Sequence, residues 1–104
     1  MARTAKSTIA TKEMSDRLYE AILTLKTKEE CYNFFQDLCT ISELRSMEQR
    51  YEVAVLLDSG MIYSDILGQT GASSATISRV NRALISGTGG YELVLERMKE
   101  QEQK

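Results

Sequence analysis

Apolar residues along this chain recur at steps of three and four, the spacing that lines one face of an α-helix. Met14, Leu18, Ile22 and Leu25 form one such stripe, which predicts a first helix over about Lys12 to Leu25 with Asp16, Arg17 and Glu20 facing away. In T-K-E-E, Thr27 is placed to cap a second helix and Glu30 sits three residues beyond it, the spacing of a capping box. That helix presents Cys31, Phe34, Phe35, Leu38 and Cys39, with Tyr32 beside them, a face wide enough to need more than one neighbouring helix. A third helix is expected from a Ser42 cap, with Glu43 in its first turn, to Asp58 or Ser59 before Gly60. Its first half is amphipathic, but Val53, Ala54, Val55, Leu56 and Leu57 are consecutive and cover every side. A helix apolar all round is a buried one. Two arrangements would bury it: a homodimer that shares this helix as a common core, or a compact monomer.

The stretch from Met61 to Leu84, MIYSDILGQTGASSATISRVNRAL, reads as a short helix, a tight glycine turn and a second helix. In the first, about Tyr63 to Gln69, Ile66 and Leu67 are expected to point inward and Asp65 lies in the first turn. Thr70-Gly71 makes the turn, Ala72 packs beneath it and Ser73 caps the second helix. There Ile77, Val80 and Leu84 form the inward stripe, while Ser74, Ala75, Ser78, Asn81 and Arg82 occupy the other face. The loop from Ser86 to Gly90 holds three glycines and ends this helix. A last helix follows, about Tyr91 to Glu100, with Leu93, Val94, Arg97 and Met98 setting its inner side and Glu96 and Glu100 pairing with bases such as Lys99.

This is the build of a helix-turn-helix, whose second helix enters the major groove of DNA. Small residues at its leading end let the helix approach base edges closely. The hydroxyls of Thr76 and Ser78 suit phosphate or base, and Arg79 and Arg82 suit phosphates. Gln69, Ser73, Ser74, Ala75, Thr76, Ser78, Arg79 and Arg82 are therefore the expected DNA-facing set.

Composition narrows the picture further. A chain of 104 residues, 42% hydrophobic and 27% charged, has the size and balance of a single soluble domain. The absence of proline and of any alternating Val/Ile/Thr-rich run favours an all-α fold. The expected boundaries are a flexible basic lead over 1–12, one helical domain over 13–100 with the helix-turn-helix near 63–85, and a frayed tail over 101–104. No apolar stretch approaches a membrane span and no signal-peptide core is present, which gives a cytoplasmic expectation and no membrane partner. The net charge is −2, yet no acidic residue lies between Asp65 and Glu92, the interval that holds Arg79 and Arg82. The field is locally positive where the reading helix lies. Cys31 and Cys39 are not spaced as a metal knuckle or redox pair, and the chain lacks histidine, so buried reduced thiols, no metal and no cofactor are expected. Without histidine, a glycine-rich phosphate loop or a set-apart carboxylate cluster, an enzyme is not expected.

The phrases E-E-C-Y-N-F-F-Q-D-L-C-T-I, S-M-E-Q-R-Y-E-V-A and T-G-A-S-S-A-T-I-S-R-V-N-R resemble the Trp repressor family, and the chain is similar above all to its short relatives of the YerC/YecD type. The resemblance covers about Leu18 to Met98. It implies a six-helix fold in an interlaced homodimer, with the fourth and fifth helices reading DNA. It also implies a small-molecule corepressor pocket for tryptophan, whose two arginines and threonine have counterparts in Arg50, Arg79 and Thr40. A carboxylate ligand would suit two such arginines. Two positions depart from the family pattern. Val80 stands where the pocket has a glycine that leaves room for the indole ring, and Leu67 stands where the repressor has a lysine. The expected function is a homodimeric, sequence-specific transcriptional regulator of the repressor type that binds double-stranded DNA. The alternatives are a metabolite-gated version of the same fold and a protein-interaction adaptor that does not touch DNA.

Overall fold

The computed structural model describes residues 4–103, with side chains from residue 11 onward. The element order is α1 (Thr4–Leu23), α2 (Lys28–Leu38), α3 (Ile41–Asp58), α4 (Tyr63–Thr70), α5 (Ser74–Ser86) and α6 (Gly90–Glu102), with no strand among the described residues. The expected all-α, six-helix architecture is the one observed. Helical backbone begins at Thr4, eight residues before the Lys12 start expected from the apolar stripe. Alanine and lysine in A-R-T-A-K-S-T-I-A-T-K favour helix even where no stripe marks them. Arg3 of the basic lead and Lys104 of the tail lie outside the described residues.

The chain divides into two compact units, residues 1–40 and 41–104. In the first, α1 ends in a tightened turn in which the Thr24 and Leu25 N–H groups donate to the Ala21 and Ile22 carbonyls. Thr27 caps α2 as expected, its Oγ accepting from the Glu30 N–H at 3.0 Å. The second arm of the box differs: Glu30 Oε1 accepts from the Lys26 N–H at 2.9 Å, one residue before the cap. Phe34 and Phe35 meet edge to face, with centroids 5.5 Å apart. None of the described side chains in this unit is fully buried, and Met14, Tyr19, Leu23, Tyr32 and Leu38 stand exposed.

The second unit holds the core. Val53 and Ala54 of α3, Ile66 of α4, Ala72 of the turn, Ile77 and Val80 of α5 and Leu95 of α6 form one buried cluster. Full burial of a residue such as Ile66 or Ile77 stabilises by roughly 1.5–3 kcal/mol. The even apolar coat expected of α3 is only partly realised: Val53 and Ala54 are fully buried, whereas Val55, Leu56 and Leu57 are half-buried. α3 begins at Ile41, so Ser42 lies inside its first turn rather than ahead of it. It stops in a Schellman turn. Gly60, at φ 91°, donates its N–H to Leu57 O, and the Met61 N–H reaches Leu56 O. α6 is tied to the end of α3 by an ion pair, Lys99 Nζ to Asp58 Oδ2 at 2.7 Å. Sequence spacing assigned Lys99 to Glu96 and Glu100 of its own helix, but the bridge to Asp58 joins two helices.

Candidate nucleic-acid interface

The helix-turn-helix is built from its turn outward. Gly71 ends α4 in the left-handed region, at φ 71° and ψ 7°, and its N–H donates to Leu67 O. That conformation costs other residues about 1 kcal/mol or more. Thr70 organises the bend on both sides. Its hydroxyl donates to Ile66 O at 2.7 Å and accepts from the Ala72 N–H at 3.1 Å. Its carbonyl accepts from Gln49 Nε2 of α3 at 3.2 Å, a half-buried bond that fastens the turn to the central helix. Ala72 is buried directly after it. The bond between Gln49 and Thr70 is not legible in the sequence, because it spans 21 positions and follows no local spacing.

α5 starts as expected. Ser73 is its N-cap, with Oγ accepting from the Thr76 N–H at 3.1 Å and donating to Thr76 Oγ1 at 3.0 Å. The cap fixes where the first turn of α5 points. The Ser73 hydroxyl hydrogen and one of its two lone pairs are thus taken up inside the turn, while Thr76 keeps its own hydroxyl hydrogen. Ile77 and Val80 are buried and Leu84 half-buried, so the inward stripe is the one read from spacing. Opposite it, Ser74, Ala75, Ser78, Arg79 and Arg82 are exposed, with Gln69 exposed at the end of α4 and Thr76 half-buried. At about 100° per residue, Ala75, Ser78, Arg79 and Arg82 share one face of α5.

Two side chains stand elsewhere than expected. Asn81 is half-buried and faces a cleft shared with Asp58, Glu92 and Lys99, so it belongs to the α3–α6 side rather than the outer face. Leu67 is 45% exposed, whereas its neighbour Ile66 is fully buried. Two consecutive helical positions diverge by about 100°, and a helix as short as α4 sinks only one of them.

The expected effector residues differ in exposure. Arg50 is half-buried on α3 and Arg79 exposed on α5, while Thr40 is exposed at the end of the first unit. Glu48, two residues before Arg50 on α3, pairs with Arg45 at 2.9 Å. Val80, next to Arg79, is 2% exposed within the core cluster. Cys31 and Cys39 are free and half-buried, not fully buried as expected. Among the described residues no cluster of His, Cys, Asp or Glu is arranged to hold a metal, and no helix is long and apolar enough to cross a membrane.

A six-helix chain with a capped, glycine-turned helix pair set on a central helix is the architecture of a helix-turn-helix protein. The family model described as Trp repressor protein matches residues 13–99, and the chain belongs to that family. It is 55% identical over 87 residues to YerC of Bacillus subtilis (strain 168), a protein described as uncharacterized, with 84% of each chain covered. Two solved structures are similar, each at a TM-score of 0.81. A candidate Trp repressor from Staphylococcus aureus is 48% identical, with 84% of this chain and 87% of that one covered. A TrpR-like protein from Eubacterium eligens ATCC 27750 is 50% identical, with 84% and 90% covered.

Proposed function

We propose that this protein is a sequence-specific DNA-binding transcriptional regulator of the repressor type, acting as a homodimer through α4 and α5. The observation that carries this reading is the outer face of α5. Ser74, Ala75, Ser78, Arg79 and Arg82 are exposed together on a helix whose opposite side is sunk into the core and whose start is fixed by the Ser73 cap. No acidic residue lies between Asp65 and Glu92 to repel phosphate. Small residues lead and arginines follow, the order suited to a helix that enters a groove at its N-terminal end and meets the backbone further along. Membership of the Trp repressor family supports the same reading.

The dimer is supported by burial. No described side chain of α1 or α2 is fully buried within its own chain, and Val55, Leu56 and Leu57 of α3 keep part of their apolar surface open. Apolar surface on that scale marks an interface in a soluble protein, and a second copy offers the same surface in return.

Selection of bound sequences from a random pool of duplex DNA tests the reading. The expected product is a near-palindromic site with half-sites about one helical turn, roughly 34 Å, apart. A pool that shows no enrichment at physiological salt counts against DNA reading, and enrichment of a single half-site counts against the dimer.

A further inference from the structure

Family membership implies a tryptophan corepressor beside α5, and the residues at that place do not fit one. We propose that Val80 is a built-in latch: its side chain fills the seam between α3 and α5, holds the reading helix in place, and makes DNA reading independent of any amino-acid corepressor. The inference rests on the DNA reading proposed above and concerns how that reading is regulated.

The seam is closed by the chain itself. Val53 and Ala54 of α3 are fully buried, Ile77 of α5 is fully buried, and Val80 is 2% exposed, all within one cluster. Val80 lies three residues after Ile77, so the two side chains sit on the same face of α5, the one turned into the cluster with Val53 and Ala54 of α3. An aromatic ring inserted there would have to part the helices by about its own thickness, roughly 3.5 Å. Every contact that buries Val80 would be lost. A glycine at this position would leave the seam open, but an isopropyl group does not.

The cations beside the seam do not rescue a pocket. Arg50 precedes Val53 and Ala54 by about one turn of α3, and Arg79 directly precedes Val80. The positions they neighbour, Val53, Ala54 and Val80, are packed into the core. A ligand shifts an equilibrium only by binding one conformation better than another. The Ser73 cap, the bond from Gln49 to Thr70 and the Val80 packing already hold α5 at three points along its approach. Little is left for an effector to select.

The test compares wild type, Val80→Ala and Val80→Gly for affinity to the selected duplex, well below each melting temperature, with and without each of the twenty amino acids. Melting midpoints are recorded in parallel. For wild type, no amino acid should change duplex affinity by more than about threefold or raise the midpoint, because a closed seam offers no differential site. Val80→Ala should weaken duplex binding by roughly fivefold while still folded, because the cavity loosens the seat of α5. Val80→Gly should weaken it further, and if it does not fold, Val80→Ala carries the comparison. The proposal is overturned if any amino acid tightens wild-type binding beyond threefold or raises its midpoint, or if Val80→Ala melts lower yet binds duplex like wild type. If wild type binds no duplex under any condition, the DNA reading itself fails, and the wild-type midpoints with amino acids still decide whether an effector site exists.

Discussion

Gln49 of α3 donates its side-chain amide to the backbone carbonyl of Thr70, the last residue of α4, at 3.2 Å. Two residues 21 positions apart thus fasten the bend of the helix-turn-helix to the central helix. Gln49→Ala should leave the half-buried Thr70 carbonyl without this partner and cost roughly 1 kcal/mol or somewhat more. Chemical denaturation measures that loss, and a gel shift should show weaker duplex binding at temperatures where the variant is folded. Unchanged binding by a destabilised variant would mean that the turn is held elsewhere.

At Gly71 the strain of a substitution comes from the backbone alone. The residue sits at φ 71°, and a Cβ added there meets nothing within 4 Å. Gly71→Ala should therefore destabilise by about 1–2 kcal/mol. Gly71→Asn should cost less than alanine, because asparagine tolerates the left-handed region better. Thermal melting of the two variants checks the order, and a larger loss for asparagine would point to crowding in place of backbone strain.

Arg79 and Arg82 are exposed on the proposed reading face. Arg79→Ala and Arg82→Ala should each weaken duplex binding and lower the salt dependence of log K by about one, the signature of one lost phosphate contact. Folding stability should barely change, since neither side chain is buried. Affinity measured across a salt series reads both effects. Wild-type slopes in both variants would mean that another face of α5 meets DNA.

The Asp58 carboxylate, hydrogen-bonded to Lys99, holds that ammonium above its ordinary value of 10.5. A lysine whose pKa is raised by folding adds stability that is fully present below 10.5 and is lost as pH climbs through the raised value. Lys99 is exposed and Asp58 partly so, and the effect should therefore be small and should shrink with salt. Melting midpoints taken from neutral to strongly alkaline pH should fall more steeply for wild type than for Lys99→Met. Parallel curves would show that the bridge between α6 and α3 contributes nothing in solution.

Local patterns carried much of this molecule. The Thr27 and Ser73 caps, the Gly71 bend and the stripe of Ile77, Val80 and Leu84 were legible because each depends on residues within one or two turns of one another. What failed depended on depth or distance. Leu67 and Ile66 are equally apolar, and only the docking of α4 decides which one is buried. Lys99 had acidic neighbours at helical spacing, yet Asp58 on another helix took it. Asn81 looked like an outer polar residue because the α3–α6 cleft beside it has no signature in its own helix. The start of α1 was missed for the opposite reason: helix-favouring residues without an apolar stripe give no period to read.

The thin burial of α1 and α2 has a consequence for abundance. If their apolar faces are covered by a second copy, these helices owe their order to a partner, and folding of this part of the molecule is second order in protein concentration. Dilution then costs these two helices their order and separates the paired reading helices. Occupancy of a paired site would rise with the square of the amount of chain at low levels, so that halving synthesis removes more than half of the bound regulator. A cell would thereby obtain a graded threshold from packing alone.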